Sequence, residues 1–252
     1  AMNIEKPAPL YDEVLEIDER LDADGNVLTA PDLDKARIGL QALFDRGFRA
    51  LAVVLLHGYR NPAHENAIAD LAKDIGFAQV STSAQASPLI KMISRGRTAV
   101  VDAYLSPILR NYIDRISAAL DGGSDDNTEL LFMQSTGGLA DGAHFTGRNA
   151  VLSGPAGGVV GAVRTAKAAG FEKIVGFDMG GTSTDVCHYG GSYERTTEAE
   201  IAGVRMRAPM LEIHTVAAGG GSVLEFDGSR FWSAQSPQAQ TLGQLVIAAA
   251  AP

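Results

Sequence analysis

"IVGFDMGGTSTDVCHY", residues 174–189, runs apolar residues from Ile174 to Phe177, then Asp178, a glycine pair, three hydroxyl residues and Asp185. A short apolar run bounded by glycines reads as a buried strand. Gly180, Gly181, Thr182, Ser183 and Thr184 then bring backbone N–H groups close to whatever lies at the strand's C-terminal edge. Glycine allows that approach because a Cβ would hold the chain away from an oxyanion. The hydroxyls add donors, so the loop suits a phosphate. Asp178 and Asp185 would repel a bare phosphate, which makes chemical sense when a cation such as Mg2+ lies between the carboxylates and a nucleotide. A tight turn capped by Asp178 accounts for the same composition. The stretch is neither a Walker A loop nor G-x-G-x-x-G.

Upstream, helix and strand signals alternate. Asp32 or Asp34 can cap a helix reaching Phe44 and stopped by Gly47, followed by the apolar strand "FRALAVVLLH". Pro62 opens a second helix through Ile75, Gly76 ends it, and "FAQVSTS" follows as a strand. A long helix from about Thr98 to Leu120 leads to the strand "ELLFMQ", and "SGPAGGVVGAVRTAKAAG" gives a helix entered at Ser153 with Pro155 at its first position. This grammar predicts an α/β architecture with helices packed over a mostly parallel sheet. Beyond Asp178 it changes to short strands separated by glycine turns, which sets a lobe boundary near residue 172.

Composition narrows the function. A net charge of −9 and a pI near 5.0 leave no basic footprint, so nucleic acid and anionic membrane surfaces are not expected partners. One cysteine, Cys187, excludes an intrachain disulfide and a cysteine zinc cluster, and points to a cytoplasmic setting. No apolar run approaches a membrane span.

"DMGGTSTD" resembles the D-x-G-G-T-x-T-D phosphate loop of the hydantoinase A and 5-oxoprolinase family, part of the actin-like ATPase superfamily. "PLYDEVLEIDER", "LLHGYRNPAHE", "RTAVVDAYLSPILRNY", "MQSTGG", "SGPAGGVVGA" and "HTVAAGGGS" match that family in order, so the resemblance covers residues 7 to about 231. It implies an actin-like (ribonuclease H-like) α/β fold: a mixed sheet with helices on both faces and an incomplete second lobe. It further implies an ATP- and Mg2+-dependent hydrolase that opens a cyclic amide or imide, such as a hydantoin or 5-oxoproline, by phosphorylating the ring amide, with a partner subunit of the hydantoinase B type. Asp178 would orient Mg2+ or its waters, and Gly180, Gly181, Thr182 and Ser183 would cradle phosphates. Thr184 and Asp185 would support the loop or the metal, with Gly219, Gly220 and Gly221 as a further nucleotide contact. ATP-dependent ketone carboxylation is the rival within the family; a nucleotide-binding scaffold is the rival outside it.

The sequence departs from the family in two places. No second D-x-G-G-T-x-T-D precedes Asp178, so an internal, truncated piece is expected, inactive by itself. From Trp232 the family pattern stops; shifting the reading frame recovers it, which predicts a frameshifted, loosely packed tail over 232–252. The expected organisation is therefore 1–172, an α/β lobe; 173–231, the start of the second lobe; and 232–252, the tail. His57, His64 and Glu65 lack metal-site spacing, and His188, His214 and Cys187 read as structural. Arg95, Arg97, Arg205 and Arg207 are possible anion contacts that the sequence does not rank.

Overall fold

The computed structural model describes residues 9–121, 129–201 and 203–235. In chain order the elements begin with β1 (Arg20–Leu21), β2 (Val27–Thr29), α1 (Leu33–Asp45), β3 (Ala50–Val53), α2 (Ala63–Ile75), β4 (Gln79–Thr82) and α3 (Ser83–Ala86). There follow α4 (Met92–Asp121), β5 (Leu131–Met133), β6 (Leu139–Asp141), α5 (Gly147–Ala150), α6 (Ser153–Ala168), β7 (Ile174–Met179) and β8 (Thr184–Tyr189). The last are β9 (Arg195–Thr196), β10 (Ala199–Ile201), β11 (Val204–Met206), β12 (Met210–Leu211), β13 (His214–Val216), β14 (Ser222–Phe226) and β15 (Phe231–Gln235).

The chain forms two compact units. One takes the described residues up to Gln134 with Gly138–Val151 and Thr196–Pro209; the other takes Ser135–Gly137, Leu152–Arg195 and the described residues from Met210 onward. Whereas the change in sequence grammar marks residue 172, the division falls before α6. The reason is packing: Ala156, Val159 and Val163 of α6 share a core with Cys187, Tyr189 and Leu211.

In the first unit, Asp32 caps α1 by accepting from the N–H groups of Asp34 (3.1 Å) and Lys35 (3.0 Å). Ala36 and Leu40 of α1 then meet Ile68, Leu71 and Ala72 of α2, with Val53 and Phe77 completing the core. α2 ends at Gly76, whose φ of 114° gives a left-handed cap donating to the carbonyls of Ala72 and Lys73. β3 and β4, joined through α2, pair in parallel, Ala50 opposite Gln79. The pairs β1–β2, β5–β6, β7–β8, β8–β13, β10–β11 and β14–β15 are antiparallel, so the sheets are mixed rather than mostly parallel. α4 starts at Met92, earlier than the expected Thr98, and runs through Pro107. Gly96, a poor helix former, is accommodated because a Cβ there would lie 3.0 Å from Val54 Cγ1, so close packing outweighs propensity. β10 and β11 form an antiparallel pair seated on α4, with Met206 buried.

In the second unit α6 begins at Ser153 without a side-chain cap, which places Pro155 in the first turn but not first. β7, β8 and β13 form an antiparallel sheet in the order β13-β8-β7. Gly176 lies opposite Cys187, and a Cβ at 176 would come within 2.5 Å of the Cys187 sulfur, so glycine there is a packing requirement. β14 pairs with β15 from Phe226↔Phe231 to Ser222↔Gln235. Residues 232–235 of the expected loose tail are thus held in a ladder, while 236–252 lie outside the described residues.

Candidate functional site

The quoted stretch is a β-hairpin. β7 delivers Asp178 and Met179, the turn 180–183 is closed by a 2.9 Å bond from Gly180 N–H to the Ser183 carbonyl, and β8 starts at Thr184. The register sets Asp178 opposite Asp185. Strand alternation puts both carboxylates on the face that carries Gly176 and Cys187, the face covered by α6. A cleft of about 240 Å³ lies there, lined by Asp178 and Asp185 and by Pro155, Gly158 and Ala162 from α6. A Cβ at Gly158 would stand 4.0 Å from Asp178 Oδ2, so α6 passes close over the carboxylate.

The second glycine run backs the hairpin. Gly220 and Gly221 donate their N–H groups to the carbonyls of Gly180 and Gly181, each at 2.9 Å, and Gly219 N–H goes to Ser222 Oγ at 2.9 Å. Thr184 Oγ1 donates to the Ala218 carbonyl at 2.6 Å. All three glycine amides are therefore engaged within the protein. A Cβ on Gly219 would meet Gly180 O at 2.5 Å and Gly181 C at 2.7 Å, so packing alone demands glycine there.

Gly180 and Gly181 differ. Neither has a left-handed φ. A Cβ at Gly180 would make an ordinary 3.5 Å contact, and one at Gly181 would meet nothing within 4 Å. The protein's own conformation and packing thus leave side-chain space at these two positions unfilled, and both are exposed. This is a surface on which a ligand can approach backbone, the use for which glycine is otherwise chosen.

Like charges directly opposite on an antiparallel pair are mutually destabilising. The Asp178–Asp185 pair is relieved in part by Thr215, whose hydroxyl donates to Asp185 Oδ1 at 2.6 Å. Among the described residues no group of three or more His, Cys, Asp or Glu side chains could enclose a metal. Asp178 and Asp185 offer two facing carboxylates, donors of the kind that hold a hydrated cation through water. Thr215 and Gly158 were not visible as site residues in the sequence, because their roles arise from register and helix placement.

Several other candidates are engaged by partners within the protein. His64 pairs with Glu19 at 2.7 Å. Glu65, fully buried, accepts from Leu55 N–H at 2.9 Å, Ala84 N–H at 2.9 Å and Ser83 Oγ at 2.5 Å. Arg95, also buried, donates to Ser83 Oγ at 2.7 Å and to the carbonyls of Leu89, Leu55 and Leu56. Burial draws its guanidinium below the usual arginine value while Glu65 opposes the shift. His188 makes an exposed pair with Glu194 at 2.7 Å, and Cys187 is buried.

Comparison with known proteins follows this geometry. The family model described as Hydantoinase/oxoprolinase matches residues 95–243, and that of the Hydantoinase/oxoprolinase N-terminal region matches residues 1–76. The first match extends past Trp232, where the sequence pattern sets the expected tail. "5-oxoprolinase 1" of Arabidopsis thaliana is 44% identical over 91% of this chain, and the 5-oxoprolinase of Saccharomyces cerevisiae is 41% identical over 91%. The chain spans only 20% of the length of each. The ATP-dependent caprolactamase of Pseudomonas jessenii superposes with a TM-score of 0.76 at 28% identity, covering 89% of this chain and 33% of that one. Nucleotide-free acetone carboxylase gives 0.71 at 26% identity, covering 88% and 32%. Both neighbours have the actin-like ATPase fold. No helix among the described residues is long and apolar enough to cross a membrane.

Proposed function

The chain belongs to the hydantoinase/oxoprolinase family, and on that premise we propose that it contributes the phosphate-binding hairpin of an ATP-dependent hydrolase that opens a cyclic amide. The observation that carries this reading is the unfilled space at Gly180 and Gly181 beside two facing carboxylates. Bound ATP would supply a phosphoryl group that activates the ring amide carbonyl toward water, so that the ring C–N bond can break and ADP and phosphate are released. Gly181 N–H and the hydroxyls of Thr182 and Ser183 would donate to phosphate oxygens. Asp178 would hold Mg2+ through water, with Asp185, fixed by Thr215, as its support. Gly219, with no room for a Cβ, and the N–H groups of Gly220 and Gly221 hold the hairpin tip in place.

Cyclic-amide hydrolysis is favoured over ketone carboxylation because the 5-oxoprolinases are 41–44% identical, against 26% for acetone carboxylase. A hydantoinase B-type partner subunit and a reducing, cytoplasmic location, read from the single buried Cys187, complete the proposal.

Titration calorimetry of Mg-ATP against the chain and against Asp178→Ala tests the hairpin. Binding is expected for the native sequence and loss of at least tenfold in affinity for the variant. Equal affinities would remove the role assigned to Asp178. Phosphate release by the complete enzyme that depends on 5-oxoproline separates hydrolysis from carboxylation, for which a ketone would be the trigger, and from a scaffold role.

A further inference from the structure

The first unit contains a second cleft, of about 330 Å³, between the first turns of α4 and the β10–β11 pair. Ser94 and Arg97, three apart on one side of α4, line it together with Lys91 just ahead of the helix. Arg205 on β11 and Arg207 just after it line the cleft from the other side with Glu198 and Glu200. Four cationic side chains thus face two carboxylates in a protein whose net charge is −9.

The carboxylates are already matched. Arg205 Nε lies 2.8 Å from Glu200 Oε2, and Arg207 Nη2 lies 2.6 Å from Glu198 Oε1. Lys91 and Arg97 have no such partner among the described residues. Arg207 Nε is buried and has no acceptor among the described residues, and buried donors of that kind are uncommon. Arg207 is also held firmly: its N–H donates to Thr98 Oγ1 at 2.8 Å, and Thr98 is fully buried on α4. A pinned arginine with an unmet buried donor, beside two uncompensated cations, is an oxyanion receptor.

We propose that this cleft binds a small organic acid that carries a carboxylate next to an N–H group. The carboxylate would take Arg97, Lys91 and the Arg207 Nε; Glu198 and Glu200 would accept from the N–H. Those two glutamates disfavour a phosphate dianion relative to a carboxylate. The inference takes from the proposed function only the choice of ring acid, 5-oxoproline, since the cleft is lined wholly by residues of the first unit. It needs no nucleotide for its test.

The probes are 5-oxoproline, 2-pyrrolidone, which is the same ring without the carboxylate, and inorganic phosphate, each titrated calorimetrically against the chain in the absence of ATP. 5-Oxoproline is expected to bind, 2-pyrrolidone to bind at least tenfold more weakly, and phosphate not to compete. Arg97→Ala, whose exposed side chain leaves the fold intact, is expected to weaken 5-oxoproline at least tenfold with an unchanged circular dichroism spectrum. Asp178→Ala is expected to bind it as the native chain does, so loss of nucleotide binding there would leave this inference standing. Equal affinity of Arg97→Ala and native chain, equal affinity for both rings, or competition by phosphate at equal concentration would overturn it.

Discussion

Two glycine-to-alanine substitutions separate a packing role from a ligand role. At Gly219 the new Cβ would sit 2.5 Å from Gly180 O, 2.7 Å from Gly181 C and 2.8 Å from Gly181 O. All three are backbone atoms, so no side chain can swing aside. Overpacking of that kind costs about 1–3 kcal/mol. Forcing the loops apart also strains the bonds from Gly220 to Gly180 and from Gly221 to Gly181, each worth about 0.5–1.5 kcal/mol net. Gly219→Ala should therefore lose about 2–6 kcal/mol, or roughly 4–24 °C in Tm for a chain of this size. At Gly181 the Cβ meets nothing within 4 Å and the φ is not left-handed. Gly181→Ala should leave Tm within about 3 °C of the native value, a slight gain being expected from lower unfolded-state entropy. Its Mg-ATP affinity should nonetheless fall at least tenfold, about 1.4 kcal/mol, because the methyl group occupies the approach to the amide. Scanning calorimetry and Mg-ATP titration on both variants decide the matter. Native Mg-ATP affinity in Gly181→Ala, or native stability in Gly219→Ala, would refute the reasoning at the corresponding loop.

Asp178→Asn removes one of two like charges that face each other across β7 and β8. The ligand-free variant should be more stable by about 0.2–1 kcal/mol while losing Mg2+-dependent nucleotide binding; a destabilised variant in urea melts would count against the repulsion. Glu65→Ala leaves the buried Arg95 charge uncompensated and strips acceptors from Leu55, Ser83 and Ala84. A loss of about 3–5 kcal/mol is expected in denaturant titration, and one under 1 kcal/mol would show the network to be dispensable. Asp22 accepts from the Asn26 side chain (2.9 Å) and from the N–H groups of Asn26 (2.8 Å) and Asp24 (2.9 Å). The Asn26 side-chain bond, first among these, holds its carboxyl below the usual carboxylate value. Its contribution is present above about pH 4 and disappears as pH falls through the lower folded value. Asp22→Ala should therefore narrow the stability difference between pH 5 and pH 2, and parallel acid profiles for both proteins would exclude this.

Local signals carried most of the first unit. Asp32, Pro62 and Gly76 mark helix ends through chemistry that acts within a few residues, and α1 and α2 lie within a residue or so of where those marks put them. Two kinds of feature escaped. Extents governed by packing shifted: β3 stops at Val53 although apolar residues continue to Leu56, and α4 starts before Gly96 because Val54 lies against that glycine. Relations set by long-range register were hidden altogether. The contact of Gly219 with Gly180 joins positions far apart in the chain, and Arg207 reaches Thr98 by a returning excursion that the sequence shows only as short strands.

The hairpin is the instructive case. Order of residues alone makes "DMGGTSTD" equally a turn and a phosphate loop, since both need glycines and hydroxyls. The structure separates the glycines by cause. Gly176 and Gly219 are fixed by Cys187 and by the Gly180 carbonyl, whereas Gly180 and Gly181 have room for a side chain. A turn formed for its own sake would lose nothing on Gly181→Ala and would not set Asp178 against Asp185. What the proposed binding role rests on is therefore the pairing of a partly relieved repulsion with an unfilled space, and each is removable by a single substitution without disturbing the other.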